Sequence, residues 1–252
     1  MAFEDEWPAK GDYDFNDAVF DYNVEESKVD SLISRIVFKI LPTARGATYE
    51  NSLRLLINTP VSNIGQVTMK LKGTITDVEP IADGNQSLFI IIEKIKDALP
   101  PPQGYQMTNT FSGSPKVNGK LYTLTINFNY PIPPQTLGSA PYNSFISRVL
   151  ETGDHIEVHF PGYFPSKKAS RRKFGRAQDS SDKSKDRYYQ TKGNLPWAML
   201  IPAKWHHTKE RIDLSNGYPD ILEWASSKGK NKKAWYKSKR KAKFVFEDVN
   251  DI

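Results

Sequence analysis

The sequence predicts a mainly β protein: an antiparallel β-sandwich of jelly-roll type with long loops and one short helix near the C-terminus. Apolar runs such as LRLLI, LFIII and YTLTINF are short and rich in β-branched or aromatic residues. The 17 prolines and 15 glycines are spread along the chain, so turn chemistry repeatedly interrupts these runs. Several runs also alternate apolar and polar residues at the period of two that a half-buried strand requires.

In chain order, an acidic and aromatic segment over residues 1 to 24 runs into the alternating AVFDYNV stretch, and SLISRIVFKIL follows; both stretches read as strands. SLRLLIN, QVTMKLKGTI, SLFIIIEKI and LYTLTINFNY read as further strands, separated by turn-rich ADGNQ, LPPPQGY and FSGSPKVNGK. Within the last of these, Asn118-Gly119 is a tight-turn signal. Residues 131 to 145 contain four prolines and read as a loop. DHIEVHF at 154–160 puts Ile156, Val158 and Phe160 on one strand face and His155, Glu157 and His159 on the other.

The stretch 165–193 is charged and almost free of aliphatics, so it reads as a long exposed loop, expected to be the least ordered piece. LPWAMLIP follows as a buried strand between prolines. Ile221, Leu222, Trp224 and Ala225 have helical spacing, with Asp220 before and Gly229 after, which predicts a short helix and its stop. One domain is expected over residues 1–236, as a single sandwich or two packed subdomains, with 237–252 a mobile basic-to-acidic tail.

Composition narrows the chemistry. With 38% apolar and 12% aromatic residues, the 252-residue chain can bury a core. The absence of cysteine excludes disulfides, thiolate catalysis and cysteine-zinc sites. No run approaches the roughly 18 apolar residues of a membrane span, and the first residues are acidic rather than a secretory leader. Met1 directly before the acidic motif suggests a fragment whose export signal lies upstream. The net charge of +6 hides an asymmetry: residues 3–21 carry seven carboxylates against Lys10, so −6 there leaves +12 elsewhere.

The acid is concentrated in GDYDFND, where Asp12, Asp14 and Asn16 offer oxygens at every second position and Asp17 adds another. Calcium takes six to eight hard oxygen donors, and a loop of alternating acids can wrap it while the ion cancels their repulsion. The spacing matches the first half of a helix-loop-helix calcium loop. However, Asp17 stands where that loop needs glycine and Asn23 where it needs a bidentate glutamate. Glu4 and Asp5 are near enough in sequence to close the shell, Glu6 and Asp21 less obviously so. Spacing alone leaves two readings open, a calcium loop and a metal-free acidic turn held by Asx-type hydrogen bonds.

FEDEWPAKGDYDFNDAVFDY resembles the opening motif of the LruC domain, found in exported bacterial proteins including lipoproteins. IEVHFPGYFPSKKA resembles a second stretch of that family, and YYQTKGNLPWAMLIP and YPDILEWASSKGKNKKAWY follow in the family's order, so the resemblance spans residues 3 to 236. The chain departs from the pattern at Phe160, where leucine is usual, at Ser166, where threonine is usual, and in its basic loop and tail. The resemblance implies an extracytoplasmic location and metal-ligand roles for Glu4, Asp5, Asp12, Asp14, Asn16 and Asp17. It implies no activity, because the family has none established.

Other constellations carry less. His155, Glu157 and His159 lie in line on a strand rising about 3.3 Å per residue, which strains a shared zinc ion, so a hydrogen-bonded or exposed polar face is expected. His206 and His207 point to opposite sides if extended and read as a solvent-edge feature. There is no nucleophile elbow or other catalytic motif, so the sequence predicts a non-enzymatic module with an adhesion or assembly role. The basic runs SKKASRRKFGR and KGKNKKAWYKSKRKAK read first as solvated surface without a specific ligand; of specific partners, an envelope partner, glycan or polyanion is favoured over nucleic acid. The alternative is a carbohydrate-binding or carbohydrate-processing protein, with Trp7, Trp197, Trp205 and Trp235 as the expected sugar platform.

Overall fold

Strands form where apolar residues alternate, and they assemble into two antiparallel sheets in a computed structural model that describes residues 1–246. The strands are β1 (Ala2–Phe3), β2 (Ala18–Val29), β3 (Leu32–Ala44), β4 (Ser52–Ile57), β5 (Ile64–Leu71), β6 (Thr74–Asp77), β7 (Ile81–Asp83), β8 (Gln86–Ile92), β9 (Tyr122–Ile132), β10 (Asn143–Val149), β11 (His155–His159) and β12 (Ala198–Met199). One sheet has the order β12-β1-β2-β3-β9-β5-β6 and the other β11-β10-β4-β8-β7. The mainly β, two-sheet expectation holds.

Register explains the core. Phe38 on β3 pairs with Leu124 on β9, which pairs with Met69 on β5, and Ile36, Ile126 and Val67 form the next row on the same face. These rows pack with Leu53, Leu55, Phe89, Ile91, Ile146, Ile156 and Val158 of the second sheet in one apolar cluster. Each large aliphatic chain buried there stabilises by roughly 1.5–3 kcal/mol before conformational entropy is subtracted.

The β12-β1-β2 end of the larger sheet is covered on both faces. Phe3, Ala18, Phe20 and Ala198 enter the inter-sheet core. Their neighbours Ala2, Val19 and Met199 enter a second core with Tyr13, Phe15, Trp205, Leu214, Tyr218, Ile221, Trp235 and Val245. The expected helix forms as Ile221–Ser226, and Gly229, at φ 76°, closes it through its N–H on the Trp224 carbonyl at 2.8 Å.

Several expectations are corrected. The loop expected over 131–145 gives way to β10 from Asn143, a strand that the preceding prolines mask in the sequence. QVTMKLKGTI divides into β5 and β6 at Lys72-Gly73, both left-handed. Only Ala198–Met199 of LPWAMLIP is strand. Asn118-Gly119 lies in extended coil rather than a tight turn, with Gly119 pressed so closely on Pro42 that a Cβ would stand 2.0 Å from its carbonyl oxygen. The 165–193 segment is irregular but not loosely exposed: Ser166, Tyr188 and Tyr189 are buried, and His155 bridges Ala169. Of the tail expected from residue 237, Val245 joins the second core and Phe246 is buried against His207. The rest of that tail lies outside the described residues.

Candidate metal centre

β1 and β2 pair antiparallel through Ala2↔Val19 and Phe3↔Ala18, so residues 4–17 form the loop that joins them at the two-cored end of the sheet. Within it Tyr13 and Phe15 take left-handed backbone at φ 61° and 56°, a conformation rare for bulky residues. Burial of their rings, edge to face at 4.7 Å in the second core, holds them there. The Tyr13 hydroxyl donates to the Pro196 carbonyl at 2.7 Å. The polar residues between the two aromatics are left to gather oxygens.

Glu4, Asp12 and Asp14 each place a carboxylate oxygen within 4.8 Å of the other two. Glu4 is fully buried; its Oε1 accepts the Phe15 N–H at 2.5 Å, and its Oε2 has no hydrogen-bond partner. Asp14 accepts from the Asn16 N–H at 3.0 Å and the Arg211 N–H at 2.8 Å. Asn16, also fully buried, donates its amide to the Thr208 carbonyl at 3.2 Å and leaves Oδ1 unpartnered. Asp17 accepts the Asp5 N–H at 2.8 Å, and Asp5 accepts the Asn51 amide at 2.6 Å, so this pair is fastened beside the cluster.

One donor was not legible in the sequence. Glu210 Oε2 is buried and unpartnered. A Cβ added to Gly46 would stand 1.8 Å from Asn16 Oδ1 and 3.1 Å from Glu210 Oε2, so only glycine lets the backbone approach both oxygens. No spacing relates Glu210 to residues 4–17; only the stitching of residues 208–214 onto the loop brings it there.

The electrostatics are unfavourable for carboxylates alone. Burial, then repulsion from Asp17, Asp14 and Asp12, pushes Glu4 well above the usual carboxylate range. Burial with Asp12 and Glu210 lifts Asp14 to about 8, and burial with Asp12 lifts Glu210 to about 7, opposed by the nearby Thr110 hydroxyl and Arg211. Asp17 is pushed up by burial and by Asp5, while Asp5 rises to about 6 through burial, opposed by Asn51 and Arg148. Burial also raises Asp12. Hard oxygens with raised proton affinity and unfilled lone pairs suit a divalent cation of the calcium type.

The weaker candidates lie apart. Asp21, on β2, faces the Met1 amine and Lys204, and Glu6 is exposed. Around His159 the polar groups satisfy one another. Its Nε2 meets Glu157 at 2.9 Å and its Nδ1 meets Asn143 Oδ1 at 2.7 Å, while Ser166 donates N–H and hydroxyl to Glu157 at 2.9 and 2.5 Å. His155 Nδ1 meets the Ser147 hydroxyl at 2.9 Å. Among the described residues this face is a buried hydrogen-bond network that pins the 165–193 segment, and it forms no three-residue chelate.

His207 is not at the solvent edge. It is buried, donates Nε2–H to the Asn109 carbonyl at 2.7 Å and stacks on Phe246. Trp7, Trp197, Trp205 and Trp235 are all buried, so they form no sugar platform. No helix among the described residues is long and apolar enough to cross a membrane.

Comparison with known proteins gives kinship without an activity. A crystal structure of a Bacteroides ovatus protein, provisionally described as a lipoprotein, superposes with a TM-score of 0.71 at 18% identity, covering 98% of this chain and 74% of that one. No curated protein matches. Residues 31–236 match the profile of a family described as a domain of unknown function, DUF4842; Glu210 falls within the match and the acidic loop of residues 4–17 precedes it. By that match, the chain belongs to the DUF4842 family.

Proposed function

We propose that the chain is a non-enzymatic, extracytoplasmic surface module with an adhesion or assembly role, stabilised by a calcium-type ion that Glu4, Asp12, Asp14, Asn16 and Glu210 hold, with Asp5 and Asp17 beside them. The carrying observation is the set of buried oxygens without partners, Glu4 Oε2, Asn16 Oδ1 and Glu210 Oε2, among carboxylates that repel one another. An unpaired buried oxygen is worth about 1–3 kcal/mol of lost stability, which a coordinated cation recovers. The role is structural, because the donors come from two parts of the chain that form the second core. The LruC-like opening motif and the lipoprotein description of the structural neighbour support a location outside the cytoplasm.

The test is the thermal midpoint of chelator-treated protein with and without calcium. A ligand bound only by the folded state at a hundred times its Kd stabilises by about 2.7 kcal/mol. For a chain of this size that is a rise of roughly 5–10 °C. Asp12→Ala and Asp14→Ala together abolish the rise, and His155→Ala keeps it. No calcium-specific rise at millimolar concentration would reduce the cluster to an acidic turn.

A further inference from the structure

The tryptophan expectation fails for the four residues it named, yet a fifth, Trp224, is half-buried and lines an open groove of about 650 Å³. The groove lies where the β12 edge, the helix Ile221–Ser226 and the coil 185–196 converge. Tyr163, also half-buried, adds a second ring. Gln190, Asn194, Asp186 and Lys228 supply polar groups along the lining. Aromatic faces with planar amide and carboxylate groups form the chemistry that meets a sugar: the rings cover its C–H face, and the amides donate and accept in the plane of its hydroxyls.

Charge narrows the ligand further. Arg187 is committed to Asn194 Oδ1 at 2.7 Å and the Ser180 carbonyl at 3.2 Å, and Lys185 to Asp182 at 2.9 Å. Lys228, exposed at the rim, makes no ion pair among the described residues. Gln190 makes no side-chain hydrogen bond among them. An uncommitted ammonium and an uncommitted amide beside two rings fit a sugar that carries a carboxylate, in a chain with a surplus of positive charge outside residues 3–21.

We propose that this groove binds an acidic oligosaccharide, with Trp224 and Tyr163 stacking on sugar rings, Gln190 and Asn194 reading hydroxyls, and Lys228 pairing with a uronate carboxylate. None of the proposed cation ligands lines the groove, but Trp224 packs on Trp235 of the second core at 5.9 Å, so binding is measured both in chelator and in calcium.

The probes are soluble oligogalacturonate, alginate and hyaluronan fragments, titrated while tryptophan emission and its quenching by acrylamide are followed. Because four tryptophans are buried, protection from quenching on binding reports on Trp224. Saturable binding that falls roughly tenfold or more in Trp224→Ala, and several-fold in Lys228→Gln and Gln190→Ala, is expected. Lys72→Gln, in a separate lysine-lined groove, leaves it unchanged. If Trp224→Ala does not fold, Lys228→Gln and Gln190→Ala at unchanged thermal midpoint decide. No binding to any probe at about 10 mM overturns the proposal. Binding that survives Lys228→Gln and Gln190→Ala, or that weakens equally in Lys72→Gln, also overturns it.

Discussion

Glu210→Gln separates a repelling cluster from an inert one, because the same substitution relieves the chelated protein and weakens its response to calcium. At pH 8 and without a divalent cation, Glu210 is ionised against Asp12 and in contact range of Gly46 and Asn16. Its acidity has moved from 4.5 to about 7. At about 1.36 kcal/mol per unit, reduced for a half-buried side chain open to solvent, this is a penalty of roughly 1–2 kcal/mol. The sign follows from linkage. A carboxyl whose folded value is raised binds its proton more tightly in the folded state, so its penalty is fully present above the folded value and fades as the pH falls towards the unfolded one.

Chelated Glu210→Gln therefore melts above chelated parent, by roughly 2–8 °C at pH 8. In calcium that advantage shrinks or vanishes, since the variant lacks a ligand and binds the ion roughly tenfold more weakly, about 1.4 kcal/mol, so its calcium-induced rise is smaller than the parent's. Differential scanning calorimetry in chelator and in millimolar calcium reads both arms. A variant that is neutral or destabilised in chelator, with the parent's calcium response, would refute the placement of Glu210 in the cluster.

Gly46→Ala drives a methyl into Asn16 Oδ1 and, costing about 1–3 kcal/mol, lowers the thermal midpoint and blunts the calcium response in the same titration. Glu157→Gln leaves one acceptor oxygen for the two Ser166 donors inside a buried network; a loss of about 1–3 kcal/mol by urea unfolding is expected, with the calcium-induced shift preserved. Burial holds His207 at about 4 against 6.5 when unfolded. The unfolded chain therefore binds the extra proton between those values, and stability falls by about 3 kcal/mol as the pH drops from 6.5 to 4. His207→Phe flattens that part of a urea-unfolding pH series, and an unchanged slope would mean that the ring is charged in place.

The parts of the fold legible in the sequence are those where one face is wet. β3 and β9 alternate because their outer faces meet solvent, and DHIEVHF alternates because its two faces have different partners, apolar on one side and hydrogen-bonded on the other. β10 carries no such signal, being buried along most of its length behind a proline-rich approach. β1 and β12, at two residues each, are too short for any period. The second core is hidden for another reason: Trp205, Tyr218 and Trp235 stand in coil or beside lysines and meet only in three dimensions. At the site, the alternating oxygens of residues 12–17 are local and could be read, whereas Glu210 depends on tertiary stitching.

That division bears on what an ion would do. β1 and β12 offer only two-residue ladders, so backbone pairing holds the two-cored end of the sheet weakly. The loop of residues 4–17 meets the C-terminal segment instead through Thr208 on Asp14 and Asn16, the Arg211 N–H on Asp14, the Leu214 N–H on the Tyr13 carbonyl and the Lys10 ion pair with Asp213 at 2.7 Å. The carboxylates beside these bonds push the same two segments apart when ionised. On the proposed reading, the cation converts that repulsion into the strongest link between these two segments of the second core. Chelation then loosens residues 208–214 and the Trp205–Trp235 aromatic cluster while β4, β8 and β10 stay protected, a pattern that amide hydrogen exchange resolves segment by segment. Uniform loss of protection across both sheets would place the ion's effect in the whole fold and not in this junction.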